Sequence, residues 1–245
     1  MSAEALQGLQ HTEQRLSRAR GTARSRRRVP QTQRAYDELK HLILENRMPA
    51  GTQALEQEVA RQLNMSRTPV REALIRLAQE GMVEVRPRHG MRVLPVSVAD
   101  MREIYEILAG LEAAAAGAAA RHGVSSQQLA ALEQAVADME DAERCDDRAA
   151  WAAGDATFHR LLVEASGNRR LVAMVEAVRD QSHRVRMLTL QLRPRPVNSN
   201  RDHAEVLQAI RDRDEETAYR VHRRHRVEAG RMLIALLEQH GLDHL

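Results

Sequence analysis

Residues Ser66 to Gly90 read SRTPVREALIRLAQEGMVEVRPRHG, and the order of signals in this stretch decides the fold of the N-terminal part of the chain. Ser-Arg-Thr-Pro is a helix start: the hydroxyl of Ser66 or Thr68 can cap the first turn, and Pro69 sits where no backbone N–H is needed. Val70, Ala73, Leu74, Leu77 and Ala78 then recur at helical spacing until Gly81 stops the pattern. Met82–Arg86 and Met91–Leu94 alternate as strands do, joined by Pro87-Arg88-His89-Gly90, with the glycine that a tight hairpin wants.

Upstream, Ala35, Leu39, Leu42 and Ile43 mark a first helix that ends at Pro49-Ala50-Gly51, and Val59, Ala60 and Leu63 mark a short second one around Glu56–Leu63. Two helices, a turn, a third helix and a two-stranded wing make a winged helix-turn-helix over residues 30–96. Residues 1–29, with seven arginines and little apolar periodicity, read as a disordered basic tail.

The charge is unevenly placed. Residues 1–96 hold 17 Lys/Arg against 10 Asp/Glu, and residues 97–245 hold 20 against 24, so the first part expects a polyanion and the second does not. Aromatic residues make up 2% of the chain, too few to stack unpaired bases, which selects duplex DNA over single strands or RNA. A recognition helix enters the major groove N-terminus first. Ser66, Arg67, Thr68 and Arg71 stand at that end, and Arg67 and Arg71, four apart on one face, can each bond bidentately to guanine. Taken alone, these four also suit a solvated basic helix start. The basic wing at Arg86, Arg88, His89 and Gly90, placed to meet the adjacent minor groove or backbone, turns the balance towards DNA.

These residues carry a family resemblance. PAGTQALEQEVARQLNMSRTPVREALIRLAQEGMVEVRPRHGMRV, within residues 33–94, resembles the DNA-binding domain of GntR-type bacterial transcription regulators, with the Pro-x-Gly turn, SRTPVREAL and the Glu80-Gly81 stop in the family's order and spacing. The resemblance implies an operator-binding regulator, usually a repressor, working as a homodimer so that two recognition helices meet a two-fold site. Where many members of the fatty-acid-responsive branch place a further DNA-contacting arginine in the second helix, this sequence has Gln57.

Residues 97–245 show no strand signal. Ser97 suits an N-cap before Asp100, and six helices are expected near 98–121, 126–144, 147–166, 169–191, 199–212 and 214–240: an all-α bundle. Gly117, inside the alanine run 113–120, is expected to admit a close neighbouring helix. Asp155 and His159 interrupt the apolar stripe of Trp151, Phe158, Leu162 and Ala165; His203 falls in line with Val206, Leu207 and Ile210; His225 with Ala218, Val221, Ala229 and Met232. Four ionisable groups facing one core must be paired, solvated in a cavity or bound to a metal. A hydrogen-bonded core histidine is the ordinary reading for any one of them, and three with a carboxylate suit a divalent transition ion such as Zn, Ni, Fe or Mn.

The same segments, DATFHRLLVEASGN, DHAEVLQAI and the stretch reaching His225, resemble the FCD effector domain of the FadR subfamily, in its shorter VanR-type, metal-binding form. That resemblance implies Asp155, His159, His203 and His225 as ligands and a small-molecule effector, most simply an organic acid. Family members often carry an effector-binding arginine in the first bundle helix, where EILAGLE has Leu108. Arg184 or another arginine is then the candidate effector contact, with His222 beside the pocket. Two other functions fit parts of the pattern: a regulator for which the ion itself is the signal, and a metal-dependent hydrolase, although no His-Glu-x-x-His or Gly-x-Ser-x-Gly motif accompanies the ligands. The single cysteine, Cys145, the lack of a signal-peptide core and of any long apolar run point to a soluble cytoplasmic protein with no membrane partner.

Overall fold

The computed structural model describes residues 29–86 and 89–241. The basic tail, apart from Val29, and Arg88 of the wing lie outside the described residues. The N-terminal domain contains α1 (Gln31–Leu44), β1 (Gln53–Ala54), α2 (Glu56–Gln62), α3 (Arg67–Gln79), β2 (Val83–Arg86) and β3 (Gly90–Val93). The bundle contains α4 (Val98–His122), α5 (Ser126–Arg144), α6 (Arg148–Ala165), α7 (Arg169–Leu188), a 3-10 turn (Leu190–Leu192), α8 (Val197–Arg211) and α9 (Glu215–Gln239).

The expected apolar stripes meet as one small core. Ala35, Leu39 and Ile43 of α1, Val59 and Ala60 of α2, and Val70, Leu74 and Leu77 of α3 pack with Met82, Val83, Met91 and Val93 of the wing. The wing has one strand more than the sequence reading gave it. Gln53–Ala54 adds to β3 opposite β2, in the order β1-β3-β2, with Arg92 between Gln53 and Glu84. Two residues are too few to show an alternation. This third strand also explains Gly90: its φ is +78°, and a Cβ there would lie 2.2 Å from the Ala54 carbonyl oxygen, so the glycine serves the close approach of β1.

Six bundle helices form, at most bounds within three residues of expectation, and their starts are fixed by side chains. Ser97 Oγ accepts from the Asp100 amide at 3.0 Å while Asp100 accepts from the Ser97 amide at 2.9 Å, a reciprocal cap. Ser125 caps α5 in the same reciprocal manner, and Asp147, Asn168 and Asp214 cap α6, α7 and α9 by accepting from first-turn amides. Ser66 differs: it occupies the N-cap position of α3, but its hydroxyl makes no capping bond.

The closest helix approach is at a different glycine from the one expected. A Cβ on Gly117 would meet Glu215 and Tyr219 at 3.5 Å, ordinary contact, whereas one on Gly230 of α9 would lie 2.8 Å from Cβ and Cγ of Tyr105 on α4. Gly230 therefore sets how tightly α4 and α9, the two longest helices, run together. Phe158, Leu162, Leu132, Met139 and Val206 fill the core beside them.

The two domains touch through α7. Asp180 takes Lys40 of α1 at 2.5 Å, Gln181 Nε2 donates to the Glu80 carbonyl at 3.2 Å, and Arg184 Nη1 donates to the Leu94 carbonyl at 3.0 Å.

Candidate functional site

At the DNA end, Ser66, Arg67, Thr68 and Arg71 are all exposed at the start of α3. Both arginines lean on one carboxylate of α2: Arg67 Nη2 lies 3.4 Å and Arg71 Nε 3.1 Å from Glu56. These are surface pairs on side chains two-thirds exposed, weak enough to open when phosphates or base edges compete. The free Ser66 hydroxyl leaves the first-turn amides of α3 open as phosphate donors. On the wing, Arg86 pairs with Glu84 at 2.8 Å and His89 is exposed.

In the bundle, α6 supplies Asp155 and His159, α8 supplies His203 and α9 supplies His225, all buried. One ligand atom from each lies within 4.8 Å of every other. His159 Nε2 is 3.4 Å from His225 Nε2, and Asp155 Oδ1 is 3.6 Å from His159 Nε2 and 3.7 Å from His203 Nε2. Ligand atoms about 2.0–2.1 Å from a tetrahedral ion stand about 3.3 Å apart, so these edges are near the required size. His203 is 0% exposed and neither ring nitrogen has a hydrogen-bond partner among the described residues. The Nε2 atom, on the Asp155 side, stands as a metal ligand does without its ion, while Nδ1 stays unpaired in either case; the donor set fits a divalent transition ion.

A second layer orients the first. Glu112 of α4, 1% exposed, accepts from His159 Nδ1 at 2.8 Å and from His222 Nε2 at 3.0 Å. Donation from Nδ1 leaves the lone pair of His159 on Nε2, facing the cluster. Glu112, His159 and His222 are themselves close enough to suggest a ligand group, but their separations are hydrogen-bond lengths and already satisfy the atoms concerned. Arg226 lies 3.4 Å from the other oxygen of Glu112, and Arg186 bonds Asp155 Oδ2.

These charges tune the site. Burial opposes ionisation of Glu112, yet Arg226 and His159 hold its carboxyl well below the usual range; Arg186 does the same for Asp155 against the same penalty. Burial pushes His203 well below the ordinary histidine value and lowers His225, and drives His222 down to about 3. Burial also works against a charge on His159, but Glu112 and Asp155 outweigh it and raise its pKa. Two of the three candidate ligating imidazoles, His203 and His225, are thus held neutral, the form that ligates, while the neighbouring carboxylates favour a proton on the third, His159.

A cavity of about 200 Å3 opens beside the cluster, lined among others by Tyr105, Trp151, Asp155, His159, Arg186, Arg193 and His225. The two residues expected to touch the effector are elsewhere. Arg184 turns to the linker carbonyl of Leu94, and His222 is fully buried behind Glu112. Leu108 is buried in an apolar cluster with Met101 and Leu233. The sequence reading missed Glu112, Arg186, Arg193 and Arg226. Glu112 carried a signal, since it lies on the stripe of Tyr105, Leu108 and Ala109; the arginines carried none, because their long stems look solvated in any pattern.

Residues 31–93 match the model of the gntR family of bacterial regulatory proteins, and residues 103–228 match the FCD domain. This chain belongs to the GntR family. The Escherichia coli (strain K12) HTH-type transcriptional repressor RspR is 30% identical to this GntR-family chain over 199 residues, covering 80% of this chain and 86% of that protein. A regulator from the TAR-I ttuE-ttuC' intergenic region of Agrobacterium vitis is 43% identical over 131 residues, covering 53% of this chain and 77% of its own. E. coli McbR/YncC shares the fold, with a TM-score of 0.72 at 24% identity over 87% of this chain and 99% of that one. The GntR protein described here is a transcriptional regulator with an FCD domain rather than an enzyme, which sets the hydrolase alternative aside. Among the described residues, no helix is long and apolar enough to cross a membrane.

Proposed function

We propose that this GntR regulator is a cytoplasmic, homodimeric repressor whose FCD bundle binds a small organic acid at a cavity containing a divalent transition ion. The observation that carries the metal reading is the convergence of Asp155, His159, His203 and His225, with the cluster-facing Nε2 of His203 left without a partner among the described residues. The ion would supply a Lewis-acid contact for an effector oxygen. The protein's own part is to keep His203 and His225 neutral, to fix the tautomer of His159 through Glu112, and to seat Asp155 against Arg186.

On operator DNA, Arg67 and Arg71 exchange Glu56 for guanine edges, the start of α3 holds a phosphate, and the wing residues Arg86 and His89, with Arg88, contact the flanking groove or backbone. Gly90 shapes that wing. Effector binding then acts on the heads through its differential affinity for two arrangements of them. A second reading, in which the ion alone is the signal, is favoured by how fully the four ligands account for the cluster.

Elemental analysis of purified wild type, His203→Ala and His225→Ala after reconstitution with Zn, Ni or Mn tests the site, together with operator affinity before and after chelation. One ion per wild-type chain and less than a tenth of that in the variants is expected. Wild type that stays metal-free after all three reconstitutions would refute the metal site, and loss of operator binding on metal addition alone would select the second reading.

A further inference from the structure

Three of the four candidate ligands, Asp155, His159 and His225, line one wall of the cavity. On another, two nearly buried guanidiniums, Arg186 at the end of α7 and Arg193 just beyond the 3-10 turn, line the same space. Arg186 spends Nη2 on Asp155 Oδ2, and no other hydrogen bond of its guanidinium is present among the described residues. Arg193 gives Nε and Nη2 to Thr189 Oγ1 at 3.3 Å, and Nη2 also to the Arg186 carbonyl. Among the described residues Arg193 has no carboxylate within ion-pair distance. Arg226, a third guanidinium on this cavity, differs, because Glu112 already pairs with it.

A buried cation without an anion is costly, and the cost is relieved when an anion enters from outside. Burial, with the charge of Arg186 beside it, pushes Arg193 down to about 10, so it keeps its proton at neutral pH and cannot escape the cost by neutralising.

Asp155 joins the two walls. Its Oδ1 faces the imidazoles of His159 and His203, and its Oδ2 holds Arg186. A cation drawn to Oδ1 takes up charge that otherwise neutralises Arg186.

We propose that Arg186 and Arg193 form the receptor for a carboxylate of the effector, and that an ion on Asp155 tightens this receptor by drawing negative charge away from Arg186. The second half rests on the metal reading above; the first half does not. The ligand class that follows is a small acid with a carboxylate for the guanidinium pair and a second oxygen donor for the ion. By reciprocity, such an acid strengthens metal binding by the same factor.

The test uses the full chain, either zinc-loaded or stripped with the chelator dialysed away, titrated calorimetrically with malate, succinate and, as the uncharged control, succinamide. The expected result is malate binding at least about tenfold tighter to loaded than to stripped protein, within the usual range of site coupling. Arg193→Met, which touches no metal ligand, should lose at least about tenfold in malate affinity while keeping full zinc content, and Arg186→Lys, which keeps the charge and loses the fork, should fall between. Succinamide binding as well as malate, no acid binding to loaded wild type, or both variants binding malate as wild type does would each overturn the receptor. Arginine-dependent malate binding to a protein that takes up no zinc would overturn the coupling and the metal reading and leave the receptor standing.

Discussion

Replacing His203 by leucine should stabilise the metal-stripped protein and abolish its response to metal. His203 is 0% exposed, and neither Nδ1 nor Nε2 has a hydrogen-bond partner among the described residues. Burial, then the charge of His225, keeps the ring neutral, so one unpaired donor and one unpaired acceptor are buried, each costing about 1–3 kcal/mol. Leucine removes both, keeps apolar contact with Phe158, whose ring centroid lies 4.5 Å from that of His203, and costs less than about 1.5 kcal/mol in imperfect fit. A net gain of about 0.5–6 kcal/mol follows, which for a domain of this size is about 1–24 °C in melting temperature. Free zinc at a hundredfold over Kd should add about 2.7 kcal/mol to wild type and nothing to the variant. Trp151, the only tryptophan of the chain, is buried in the bundle with its Nε1 donating to Asn200 at 2.8 Å, so its fluorescence reads this domain. A variant that melts below wild type in the stripped state, or still shifts with zinc, would show that His203 is an ordinary core residue whose partners lie elsewhere.

Three further outcomes are expected. Arg67→Ala and Arg71→Ala should each weaken operator binding by about 1–3 kcal/mol by fluorescence anisotropy at fixed salt, with unchanged melting; equal affinity in both would remove them from the interface. His222, free of the metal ligands, is held at about 3 by burial against an ordinary value of about 6.5; the unfolded chain therefore binds the proton first, so its contribution is present above pH 6.5 and is lost towards pH 3 at about 1.4 kcal/mol per unit. Chemical denaturation of wild type and His222→Asn between pH 7.5 and 5 should give the variant the shallower slope, and parallel slopes would contradict the assignment. Gly230→Ala should cost about 1–3 kcal/mol by forcing Tyr105 aside, while Gly117→Ala should be neutral or slightly stabilising; equal melting temperatures for the two variants would mean that α4 and α9 yield.

The sequence showed best what repeats or punctuates. Ser97, read as an N-cap, does cap its helix, and the six apolar stripes divided the bundle before any packing was known; Ser125, Asp147, Asn168 and Asp214 emerge as caps only in the structure. The four candidate ligands were visible because each replaces an apolar residue on an otherwise regular stripe. What stayed hidden depends on rotation and on length. Arg184 and Arg186 are two residues apart, about 200° around a helix; choosing which one meets the cavity requires knowing how α7 packs against α1, α4 and α6, and no periodicity supplies that. β1 is too short to alternate, and the need for glycine at 230 rather than 117 follows from where Tyr105 lands, 125 positions earlier in the chain.

Helix α7 has one more consequence. Asp180, Gln181 and Arg184 grip the DNA-binding domain while Arg186 reaches the cavity, and six residues of helix span only about 9 Å. The steps from Asp180 and Arg184 to Arg186 turn about 240° and 200°, so grip and receptor project from different sides of one stiff rod. Such a rod cannot move towards both. A pull on Arg186 into the cavity draws the rod off α1, and a firm hold on Lys40 keeps Arg186 back, so the two attachments act as opposite ends of a balance. The separation of α1 and α7, read between paired spin labels, should widen when malate binds; an unchanged separation would mean that the signal leaves the bundle by another helix.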